Sequence, residues 1–94
     1  MREIIENWED IKNTVKEENC ISDVSFKIWI EPMRIAEIRR DCLYVLLMAE
    51  ANQKNIEAYV TRKYRVPFEK VVETYCGTTM DVRFIVRKGS EMSE

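Results

Sequence analysis

"SDVSFKIWIEPM", residues 22–33, sets Phe26, Ile28, Trp29 and Ile30 within five positions and then stops at a proline. The run is far short of the ~20 apolar residues a membrane span needs. Ser22 or Asp23 suits an N-cap, where a side-chain oxygen satisfies free backbone N–H groups. Phe26, Trp29 and Ile30 then stand at i, i+3 and i+4, one face of a helix, with Ile28 pointing off that face. Pro32 biases Glu31 away from helical geometry and ends the segment. The stretch therefore predicts a short amphipathic helix. Its aromatic face turns to a core, and Ile28 is left for an exposed surface.

Upstream, Ile4, Trp8, Ile11 and Val15 recur at helical spacing among charged residues, which predicts a first helix over residues 2–18 and a break over 19–21. Downstream, residues 33–39 carry Met33, Ile35 and Ile38 and read as a first strand. "RRDC" makes a turn, and the apolar run 43–49 reads as a buried second strand paired antiparallel with the first. Residues 50–76 are helical in pattern, with Ile56, Tyr59, Val60, Tyr64, Phe68, Val71, Val72 and Tyr75 on one face. Pro67 predicts a kink or restart, and Gly77 closes the helix. Val82, Phe84 and Val86 alternate with Arg83 and Arg87 in a last strand within 80–88. The expected order is helix, helix, strand, strand, long helix, strand: an α+β fold with a small three-stranded sheet, its crossover right-handed. Residues 1–88 form the domain, and 89–94 are a polar, flexible tail.

Ninety-four residues suffice for one domain with one modest core. Fifteen basic against seventeen acidic side chains lack the basic excess of a dedicated nucleic-acid binder. Three widely spaced cysteines give neither a disulfide framework nor a CxxC pair, and the absence of histidine excludes His-based triads and His-ligated zinc sites. The expectation is a cytoplasmic, reducing setting, with no membrane association and no cofactor.

Enzymatic chemistry finds no constellation. Glu3, Glu6, Glu9 and Asp10 suit the start of a helix, where acidic groups complement the macrodipole. Cys76 stands at a helix C-terminus, which does not favour a thiolate. The two glycines, Gly77 and Gly89, make no phosphate loop. Among the small basic groups, Arg62, Lys63 and Arg65 around Tyr64 are candidates for single-strand contact, weighed against ordinary solvated charge.

Taken together, these segments resemble the N-terminal domain (domain I) of the bacterial replication initiator DnaA. The resemblance is carried by Trp8 in the first helix, by "ISDVSFKIWIEPM", by "YVTRKY" and by "VVETYCGTTMDVRFIV", in that order over roughly residues 6–87. It implies a compact α+β fold related to KH domains. It also implies a non-enzymatic role: self-association through the first helix, recruitment of the replicative helicase or of initiator-regulating proteins, and a weak affinity for single-stranded DNA. Trp8 matches the tryptophan implicated in self-association, although its place on the Ile4–Ile11–Val15 stripe equally suits a core. Phe26 and Trp29 match the second-helix aromatics. Ser25 holds a position that is acidic in some members and contacts helicase there. The family's Pro-Asn-x-Phe segment is absent; "AEANQKNI" stands in its place, about one turn longer, with Asn55 nearest the partner-contact position. Two readings of length stay open. The chain is domain I of a longer initiator, or a free-standing copy that regulates or decoys the initiator by pairing with it.

Overall fold

The structure is a computed structural model that describes residues 2–47 and 55–86. The ends of the expected second strand (48–49) and last strand (87–88), the first turn of the long helix (50–54) and the tail (89–94) lie outside the described residues.

The N-terminal helical stretch comes in two pieces, α1 (Arg2–Glu6) and α2 (Trp8–Glu18), joined at Asn7. The Asn7 backbone N–H and its side-chain Nδ2 both donate to the Glu3 carbonyl, at 3.2 and 2.8 Å. This local competition for one carbonyl is the reason the expected single helix is interrupted. At the other end Cys20 takes the left-handed conformation usually given to glycine (φ 53°). That lets the Ile21 N–H reach back to the Lys16 carbonyl at 3.0 Å, a Schellman-type closure.

The next helix starts as expected. Ser22 Oγ accepts from the Ser25 N–H at 3.1 Å, capping α3 (Asp23–Ser25). Lys16 also reaches Asp23 at 2.9 Å, and the hydrogen bond from that ammonium holds the Asp23 carboxyl below its usual range. The benefit of the pair is present above the ordinary carboxylate pKa and fades as pH falls through the depressed one. From Phe26 to Ile30 the chain widens into a π-turn, with the Glu31 N–H bonded to the Phe26 carbonyl at 2.7 Å.

Strands β1 (Arg34–Arg39) and β2 (Cys42–Leu47) form the expected antiparallel hairpin, turned at Arg40 (φ 48°) and Asp41. A bulge between Ile35 and Glu37 shifts the register, so Ile35 pairs with Val45 and Ile38 with Leu43. Two residues three apart thereby face the same side, which a regular strand does not allow. Helix α4 (Ile56–Cys76) is one element of 21 residues, with Pro67 inside it. No restart occurs. The Lys63 carbonyl that Pro67 cannot serve belongs to an exposed turn, where water can take over. Gly77 (φ 80°) closes the helix, its N–H bonded to the Glu73 carbonyl at 2.8 Å. Strand β3 (Asp81–Val86) then pairs parallel with β2, giving the sheet order β1-β2-β3.

The helices pack on one side of this α+β sheet. Leu43, Val45, Val82 and Phe84 meet Ile4, Ile11, Val15, Ile30, Val60 and Phe68 in one core. A row of rings crosses it: Trp8 to Phe68 at 5.7 Å, then Phe68 to Phe84 at 5.9 Å. Such pairs add about 0.5–1.5 kcal/mol each beyond their buried area. Carboxylates of α4 take two of the outward backbone donors on the outer edge of β3. Glu69 accepts from the Val82 N–H at 3.1 Å and Glu57 from the Val86 N–H at 3.0 Å. Two backbone donors that would otherwise be open to a foreign strand are thus occupied.

One core group is poorly served. Tyr64 is 2% exposed, and its hydroxyl has no hydrogen-bond partner among the described residues. A buried unpaired hydroxyl costs about 1–3 kcal/mol. Tyr64→Phe is therefore expected to leave the unfolding free energy unchanged or to raise it in urea denaturation. A clear loss would mean that the hydroxyl is satisfied.

Candidate interaction surface

The corner that joins the helices to the sheet is held from α2. Lys12, 3% exposed, donates through Nζ to the Glu31 carbonyl at 2.8 Å and lies 3.4 Å from the Met33 carbonyl. Trp8 Nε1 donates to the same Met33 carbonyl at 3.0 Å. Glu9 completes the set at 3.2 Å from Lys12 Nζ. The end of a helix leaves carbonyls without intrahelical donors. A cation there satisfies them and suits the dipole.

This anchoring fixes how the π-turn is presented. An i→i+5 turn rotates less per residue than an α-turn. Ile30 consequently falls into the core, fully buried, while Phe26 and Trp29 only partly reach it. Trp29, partly buried against the core, also packs on Tyr59 of α4, ring centroids 5.2 Å apart. Tyr59 is 38% exposed rather than inward. It sits at the margin of the buried stripe, one residue and about 100° from Val60. Lys63 Nζ donates to the Tyr59 hydroxyl at 3.2 Å and lies over its ring at 5.5 Å. That hydrogen bond raises the Lys63 pKa above its usual 10.5, so the ammonium is charged throughout the neutral range. Ile28, 54% exposed, precedes Trp29 on the π-turn.

The sequence candidates divide around this surface. Asn55 stands at the head of α4 in the left-handed region (φ 61°), its carbonyl accepting from the Tyr59 N–H at 3.1 Å. It is one turn from Tyr59 on the same face. Ser25 is half-buried one turn ahead of Trp29. Trp8 belongs to the core, at 8% exposure. It floors, rather than rims, a shallow groove that exposed Ile5 and residues 31–35 complete. The three cations do not converge. Lys63 stands with Tyr59, Arg62 is exposed on the next side, and Arg65 is two residues further round, ion-paired with Glu69 at 2.9 Å. Cys76 is partly buried, and burial pushes its thiol pKa up, away from a nucleophile. Among the described residues no three potential metal ligands cluster, and no helix is long and apolar enough to cross a membrane.

Sequence reasoning missed Tyr59 as a surface group and Lys12 as a core one. Lys12 did carry a signal: it stands four residues after Trp8 and beside Ile11, on the inner side of α2. A comparison of the chain with known protein families and with characterised proteins finds no match.

The two tryptophans should therefore report separately. Iodide quenching of the native protein is expected to resolve one protected and one accessible fluorophore, and Trp29→Phe to remove the accessible one. Loss of the protected component instead would place the exposed ring at Trp8.

Proposed function

We propose that this chain is a non-enzymatic protein-interaction module that acts as domain I of the DnaA initiator does. In that role it self-associates and recruits the replicative helicase or initiator-regulating proteins in the bacterial cytoplasm. The observation that carries the reading is the Trp29–Tyr59 ring pair at the seam of the π-turn and α4, Tyr59 exposed and Trp29 partly so, with exposed Ile28 preceding Trp29 and Asn55 one turn before Tyr59. These are the two segments in which the resemblance puts partner contact. Aromatic anchors ringed by aliphatic and polar groups are what protein interfaces use at their centres. The residues argue for a protein partner over single-stranded DNA, because Lys63 stands alone beside the rings while Arg65 is held by Glu69. A strand-tracking groove needs cations in line.

The test is binding of the purified chain to the replicative helicase of its own source, followed by biolayer interferometry. Binding is expected, and Tyr59→Ser is expected to weaken it at least tenfold with the fold intact by circular dichroism. Absence of binding by the unmodified chain, or equal binding by Tyr59→Ser, would overturn the proposal.

A further inference from the structure

The sheet has a second face, and none of its side chains belongs to the core. The register puts three cross-strand rows on it. The middle row runs Glu37, Tyr44, Arg83. The row toward the hairpin turn runs Arg39, Cys42, Asp81. The far row runs Arg34, Leu46, Ile85. Ile85 is exposed, and Tyr44 and Leu46 are half-buried although they lie on the central strand. None of the three packs with the core cluster.

The charges on this face are arranged antisymmetrically about β2. In the middle row the acid is on β1 and the base on β3. In the next row the base is on β1 and the acid on β3. We infer that this face is an interface for a second copy of the chain, related by a two-fold axis that runs along β2.

The geometry follows from the symmetry alone. A two-fold along the central strand lays each β1 residue over the β3 residue of the same row in the other copy. Glu37 of one copy meets Arg83 of the other, and Arg39 meets Asp81, each twice per dimer. Tyr44 and Leu46 meet their own equivalents on the axis and form the apolar strip. Sheets pack face to face about 10 Å apart with strands rotated about 30°. With edge strands ~4.8 Å from the axis, that rotation displaces the facing charges by roughly 2–4 Å, within the reach of arginine and glutamate.

Alternating charge is what separates this occupant from a polyanion. Three arginines share the face with two acids, so a nucleic acid would meet repulsion in two of the three rows. The internal Glu37–Arg39 contact at 3.2 Å is between exposed groups, 48% and 72% accessible, and is readily exchanged for a partner's charge. The described face carries three rows of three side chains, which makes a weak dimer the expectation beside a standard interface of ~800 Å² per partner. It is also a different surface from the Trp29–Tyr59 pair and from the first helix.

The experiment is sedimentation velocity of the full chain from about 10 µM to about 1 mM, the range of a weak complex, with two charge reversals. Glu37→Arg sets arginine against arginine across the axis, and Arg83→Glu sets glutamate against glutamate. Each variant alone is expected to stay monomeric where the unmodified chain dimerises. An equimolar mixture of the two is expected to dimerise at least as well as the unmodified chain, since every facing pair is then opposite in sign. Misfolding or a change within one chain cannot give recovery on mixing. A monomeric unmodified chain at 1 mM, or singles that dimerise as it does, would overturn the interface, and so would a mixture no better than its components. Tyr59→Ser is expected to dimerise normally, which separates this surface from the helicase-binding one.

Discussion

A buried lysine holds the corner on which this fold turns. Where the helical half gives way to the sheet, Glu31, Pro32 and Met33 leave a helix end whose carbonyls have no helical donors. Lys12 and Trp8 supply those donors from α2, at 2.8 Å to Glu31 and 3.0 Å to Met33. Pro32 makes the need acute, because its ring ends the helix and contributes no N–H of its own. The ammonium is not taken from water unpaired. It has two carbonyls, the Glu9 carboxylate and the Trp8 ring within 5.8 Å. A buried charge is tolerable only with such company.

From that corner the functional geometry follows. The helix that ends at Pro32 closes as a π-turn, and the wider turn drops Ile30 into the core while turning Trp29 to the seam with α4. Tyr59 meets it there, and Lys63 secures Tyr59. The ring pair at the seam is thus a consequence of how the helix ends. The sheet answers a different constraint. Helices cover one face, and α4 carboxylates take two donors on the outer edge of β3, while no described element packs on the other face with its alternating charges.

The order of elements was legible because each boundary had a local chemical cause: Ser22 for a cap, Pro32 for a stop, Gly77 for a positive φ. The α+β arrangement with a three-stranded sheet follows from that order. Strand β1 was harder to read, since the bulge after Ile35 puts Ile35 and Ile38 on one side and hides the two-residue alternation. Trp29 packs on the core, partly buried, as its spacing implies, whereas Tyr59 is 38% exposed because it lies at the margin of its stripe. Pro67 implies a kink or a restart, and the helix runs through it without a restart because the turn whose hydrogen bond it removes is exposed, which is not written in the residues themselves. Lys12 shows its place only through its spacing from Trp8, because hydropathy counts an ammonium as surface, whereas here three acceptors converge on it. Trp8 could be read as core or as interface, and its hydrogen bond to Met33 draws it into the core.

The most direct test of this account is the unfolding free energy of Lys12→Met, measured by urea denaturation against the unmodified chain. Methionine keeps the apolar stem and removes only the charge and its donors. Replacing buried charges with apolar groups is often neutral or stabilising when both partners go. Here the acceptors are backbone carbonyls and stay behind. A loss of about 1–3 kcal/mol is therefore predicted. An equal or greater stability would contradict the claim that Lys12 holds the corner.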